Sequence, residues 1–106
     1  MKKVLLLAFF FLFAQVFAHG LLLLVEDNRD GTIYIEAGFS TGGRPAAGAS
    51  VVLRDRETGR SIFTGNLSDE GRITVDQPTA PYTVTVRVDE AHSVTRNGPL
   101  ARNRDE

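Results

Sequence analysis

Two hydrophobic rhythms divide this chain. From Val4 to Phe13 every residue is apolar, behind a basic start at Lys2 and Lys3. From residue 21 onward, apolar and polar positions alternate with period two, the mark of strands with one buried face. Ile33, Ile35, Ala37 and Phe39 share one face of such a segment, and Tyr34, Glu36 and Gly38 share the other. Ala49, Val51 and Leu53 repeat the pattern, as do Ile73 and Val75. Tyr82, Val84, Val86 and Val88 point one way against Thr83, Thr85, Arg87 and Asp89. No stretch after residue 20 carries apolar residues at helical spacing.

Turn chemistry separates these runs. Asp27-Asn28-Arg29-Asp30-Gly31, Asp55-Arg56-Glu57-Thr58-Gly59 and Ser68-Asp69-Glu70-Gly71 each end in the glycine that a tight turn favours. Pro45, Pro78 and Pro81 cannot donate to a ladder and mark strand boundaries. The spacing predicts about seven strands, over 21–26, 32–39, 49–55, 60–67, 72–76, 82–89 and 92–96. Seven short strands with one apolar face each imply an all-β fold, a single Ig-like antiparallel β-sandwich. Gly38 to Gly48 reads as a connection that crosses between sheets, since no Gly-Lys-Ser/Thr follows to make a phosphate loop. Tyr82, at the mouth of a late strand, is expected to anchor a neighbouring loop through its hydroxyl.

The first rhythm is that of an export signal. A basic start, a short apolar run and Ala14 and Ala18 at its end predict a signal peptide over 1–18, cut after Ala18. The rival reading, an uncleaved anchor over residues 4–25, is interrupted by Gln15, His19 and Gly20, and the alternation claims 21–25 as strand. The expected organisation is therefore a signal peptide (1–18), a sandwich domain (19–96) and a flexible tail (97–106). The expected location is periplasmic or secreted.

Composition narrows the chemistry. Both lysines lie in the leader, so ten of the twelve basic residues remain, all arginine, against thirteen acids, a net charge of −3. A mildly acidic chain with scattered arginines is a poor partner for nucleic acid. Cysteine is absent and the one methionine is the initiator, which removes thiolate and thioether metal sites. No serine sits in a Gly-x-Ser-x-Gly elbow, so no enzyme activity is expected.

Cleavage after Ala18 makes His19 the first residue of the mature chain. An N-terminal histidine chelates by itself, because its α-amine and its ring Nδ1 close one ring on a single ion. With an α-amine titrating near about 7.7–8.0 and an imidazole near about 6.5, both donors are available close to neutral pH. The only other histidine, His92, opens the last predicted strand. Should the first and last strands meet, His19 and His92 together offer three neutral nitrogens, a set suited to nickel(II), cobalt(II) or copper(II) rather than magnesium or calcium. Glu26, Asp27, Asp30 and Glu36 are possible oxygen ligands, although Asp27 and Asp30 also suit a turn.

Gly48-Ala49-Ser50-Val51-Val52-Leu53, Thr58-Gly59, Ser68-Asp69-Glu70-Gly71 and Pro81-Tyr82-Thr83-Val84-Thr85-Val86 resemble the carboxypeptidase-regulatory-like, transthyretin-like sandwich modules. His19-Gly20, Gly38-Phe39-Ser40, Pro45 and the late histidine make the chain similar to the small periplasmic accessory proteins of nickel and cobalt uptake systems of the energy-coupling-factor type. Ala91-His92 stands where that group often has Gly-His. The resemblance implies a divalent metal ion, nickel or cobalt with copper as the alternative, handled for membrane transporter subunits. The competing expectation is an extracytoplasmic interaction module that binds protein or carbohydrate through the loops 40–48 and 77–81. A copper oxidase is set aside, since only Tyr34, Phe39, Phe63 and Tyr82 are aromatic beyond the leader and most are claimed by the core.

Overall fold

The structure, a computed structural model, describes residues 20–101. Residues 1–19, which include the expected signal peptide and His19, and residues 102–106 lie outside the described residues. Alternation becomes seven strands: β1 (Leu21–Asp27), β2 (Thr32–Phe39), β3 (Ser50–Asp55), β4 (Ser61–Asn66), β5 (Arg72–Asp76), β6 (Tyr82–Asp89) and β7 (His92–Asn97). They form two antiparallel sheets, ordered β1-β2-β5 and β4-β3-β6-β7. A single sheet would leave its apolar face wet, and the sandwich closes both faces on one core. The chain crosses between sheets three times, after β2, after β4 and after β5. The long connection after β2 is the sheet crossing that its glycines and proline predict.

The core holds the residues that the alternation selects. Leu21, Ile33, Ile35, Val51, Leu53, Tyr82, Val84 and Val86 are fully buried, with Leu23, Ala37, Ala46, Ala49, Leu67, Val75 and Val94 around them. Burying each large aliphatic side chain contributes roughly 1.5–3 kcal/mol. Three expected inward positions depart from the pattern. Val88 is 41% exposed, because the β6–β7 register slips between Arg87 and Asp89 and β6 there runs past the core. Phe39, at the end of β2, and Ile73, in β5, pack on the core only in part.

The hairpin turns are held by their acids. Asp27 accepts from the Arg29 amide, and Asp30 accepts from the Thr32 amide and hydroxyl. The bonds to Thr32 keep the Asp30 carboxyl below its usual range. Asp55 accepts from the amides of Glu57 and Thr58 in the same manner, with the same effect on its carboxyl. These carboxylates serve the backbone, which is the ordinary role of Asx residues in turns.

Tyr82 ties the end of the domain to its middle. Its hydroxyl donates to the Pro99 carbonyl at 2.7 Å, beside a second donor, Gln77 Nε2, at 3.0 Å. Gly98 N donates in turn to the Tyr82 carbonyl at 3.0 Å. The anchor thus acts on the segment after β7, and ordered contacts run past residue 96, where the sandwich was expected to end.

Burial pushes the Tyr82 phenol up to about 12. Released into an unfolded chain it ionises near its ordinary value of 10, so its contribution is complete below that pH and is lost as pH rises toward 12. Urea midpoints measured across this window are expected to fall for the native chain and to fall less for Tyr82→Phe. Equal slopes for the two proteins would contradict the buried phenol. Tyr34, which donates to Glu36 and is also shifted upward, titrates in both and cancels in the comparison.

Candidate functional site

The β1–β2 hairpin sets the site's first side. Its register pairs Asp27 with Ile33 and, six residues back along β1, Leu21 with Phe39. Gly20 therefore lies against Ser40, and the Ser40 amide donates to the Gly20 carbonyl at 2.6 Å. The chain after Phe39 folds straight back: the Phe39 amide donates to the Arg44 carbonyl at 2.8 Å, and Gly38 bridges to Pro45. This return holds Thr41 and Arg44 near the start of β1.

The other side comes from the opposite sheet. β1 and β7 are the edges of different sheets, yet they lie alongside each other, and Arg96 Nη1 donates to the Leu23 carbonyl at 2.9 Å across the seam. Both strands start at the same end of the sandwich. His92, first residue of β7, consequently sets its ring edge-on to Phe39, with centroids 5.9 Å apart. Gly20, Phe39, Thr41, Arg44 and His92 line one open cleft of about 360 Å³.

His92 is held from behind. The turn Asp89–His92 is closed by Asp89 Oδ1, which accepts from the Ala91 amide at 2.9 Å and from His92 Nδ1 at 2.8 Å. The bond from the histidine ring is the largest cause that keeps the Asp89 carboxyl below its usual range. Carboxylate–histidine pairs of this kind fix the ring's tautomer and orientation at metal centres, leaving Nε2 as the basic nitrogen.

The structure thus answers one question that the sequence left open: the first strand and His92 share an end of the sandwich. His19 itself lies outside the described residues. The acids near β1 do not join this site. Asp27 and Asp30 sit in the turn at the far end of a seven-residue strand, about 20 Å from Gly20 at the usual rise per residue. Glu36 instead accepts from the Tyr34 hydroxyl at 2.6 Å. Among the described residues no group of three or more His, Asp or Glu side chains converges on one point.

No protein-family model, curated protein or solved structure matches this chain.

Sequence reasoning did not single out Asp89, Thr41 or Arg44. For Asp89 a signal was present, since an acid three residues before a histidine across a tight turn is placed to bond it. Thr41 and Arg44 depend on how the 40–48 loop returns over β2, which no local pattern states.

Proposed function

We propose that this protein is a periplasmic metal-binding accessory protein, which holds a nickel or cobalt ion at its mature N-terminus and passes it to a membrane transporter. One observation carries the reading. Gly20, joined by a single peptide bond to the residue that cleavage makes N-terminal, lines the same cleft as the only other histidine. In this reading the α-amine and Nδ1 of His19 chelate the ion, and His92, oriented by Asp89, supplies a further nitrogen. Nitrogen donors with no thiolate favour nickel(II), cobalt(II) or copper(II). A site of few ligands at an open cleft also suits an ion in transit, because a partner's ligands can approach it.

Cobalt(II) is paramagnetic and displaces the resonances of nearby amides. Added to the mature protein, it is expected to move the amide signals of Gly20, Thr41, Arg44 and His92 most, and to leave those of the Asp27–Asp30 turn nearly unmoved. Shifts centred on that turn, or spread evenly over the surface acids, would overturn the assignment.

A second reading, an interaction module without metal, is favoured by a separate observation. Leu22 and Leu24 stand 42% and 44% exposed on the outer face of β1, beside Arg96 and Gly38. Exposed apolar side chains grouped on one strand often mark a contact surface. The two readings part on metal dependence.

A further inference from the structure

Two open sheets leave edge strands at β1, β5, β4 and β7, and they are not equally covered. β1 and β7 lie against each other along the seam that Arg96 crosses. β5 is closed at its start, where the Arg72 carbonyl accepts from the Ser68 amide at 3.0 Å and the Arg72 amide donates to Ser68 Oγ at 3.4 Å. β4 is open. The Leu67 amide donates to the Ala49 carbonyl at 2.8 Å, and in that register Phe63 and Gly65 also turn their backbone groups toward β3. Thr64 and Asn66 therefore turn theirs outward, where no strand among the described residues meets them.

An open edge is a template for another strand, and folded chains ordinarily guard it with charge or proline. Ser61 to Asn66 contains neither. Its outer face carries Ile62, 46% exposed. Its inner face carries Phe63, packed only in part on the core, with the ring lying over Gly65. Continuing the sheet would cover both. The charges stand at the ends of the strand. Arg56 and Arg60, with Glu57 between them, come before it, and Asp69 and Glu70 come after it, all of them exposed. None of these five makes an ion pair among the described residues. The strand that matches this pattern is antiparallel and carries the same ends in reverse order, which is β4 of a second copy.

We infer that β4 pairs with β4 of a second copy of this chain about a two-fold axis at Thr64. Thr64 then faces Thr64, each Phe63 faces the Gly65 of the other copy, and the two four-stranded sheets become one. The basic end of each strand lies beside the acidic end of the other. Cross-strand hydroxyl and opposite-charge pairs of this kind stabilise an antiparallel ladder, and an isologous contact closes at two subunits. β4 is the edge opposite β7, so the cleft beside His92 stays open in the dimer.

Sedimentation velocity of the mature protein across a range of concentrations tests the pairing, and a monomer–dimer equilibrium is the expected result. Thr64→Lys sets like charges against each other at the axis. It is expected to weaken the dimer about a hundredfold or more, the scale of juxtaposed like charges across an interface. Thr64 is exposed, so the melting midpoint of the dilute monomer, read by circular dichroism, is expected to stay unchanged. Arg56→Glu with Arg60→Glu makes both ends of the strand acidic, and Asp69→Arg with Glu70→Arg makes both basic. Each double variant alone is expected to be monomeric, and the two mixed are expected to form a heterodimer. A native chain that stays monomeric overturns the inference and leaves the edge to an extended strand of another protein. A dimer unchanged by Thr64→Lys, or no heterodimer on mixing, overturns it as well.

Discussion

Tyr82→Ala is expected to remove a large share of the domain's stability, more than any other single truncation in the core. Tyr82 is the largest of the fully buried side chains, and β3, through Asp55, pairs directly opposite it. Removing a buried aromatic ring costs about 3–5 kcal/mol, partly in lost transfer energy and partly in the cavity left behind. A domain this small has only about 5–15 kcal/mol in hand. The hydroxyl adds a further link, because without it the Pro99 carbonyl keeps only Gln77. Tyr82→Phe separates the two contributions, with an expected loss of about 1 kcal/mol for the single hydrogen bond. Chemical denaturation followed by circular dichroism reads both. A Tyr82→Ala protein as stable as Tyr82→Phe would show that the ring is not the centre of this core.

Gly71→Ala is expected to cost about 3 kcal/mol or more, enough to lower the melting midpoint by on the order of 15 °C in a domain of this size. Gly71 closes the turn into β5 with φ at +79°, where a Cβ is strained in any surroundings. Here the surroundings matter more. An added Cβ would sit 2.7 Å from the Ala37 carbonyl oxygen and 3.0 Å from the Ala46 amide nitrogen, both backbone atoms that cannot rotate away. Those atoms bond each other, and the Ala37 amide donates to the Gly71 carbonyl, so relief of the clash loosens the crossing between the sheets. Gly59 is the control, with the same φ of +79° and nothing within 4 Å of an added Cβ. Gly59→Ala should cost about 1 kcal/mol, the backbone strain alone. Equal melting midpoints for the two variants would contradict the close approach at Gly71.

Both predictions rest on features that were legible to different degrees. Alternation located all seven strands to within one residue at each end, because a sheet with one buried face writes its period directly into the sequence. The β1–β2 hairpin is centred on Asp30, inside the turn that the sequence marks at Asp27–Gly31, so Leu21 pairs with Phe39. Sheet membership was not legible, since β4 and β5 are consecutive yet lie in different sheets, and that depends on the path of the Leu67–Gly71 connection. Val88 kept the rhythm but lost the core, because periodicity does not tell where a strand outruns the opposite sheet. The segment after β7 carries a glycine, a proline and little apolar surface, so nothing local announced its bonds to Tyr82 and Gln77. At the candidate site, His92 was named for its type, its place at the start of the last strand and the resemblance. Its nearness to Gly20 follows from the seam between β1 and β7, which is a long-range fact of the fold.

The most direct measurement is calorimetric titration of nickel into the mature protein beginning at His19, set beside a copy with one alanine added before that residue. The added residue removes the α-amine from the chelate and leaves every described side chain in place. One-to-one binding is expected in the native protein, lost in the extended copy and weakened in His92→Ala. Equal binding by the native and extended proteins, or none by either, would contradict a metal centre at the N-terminus.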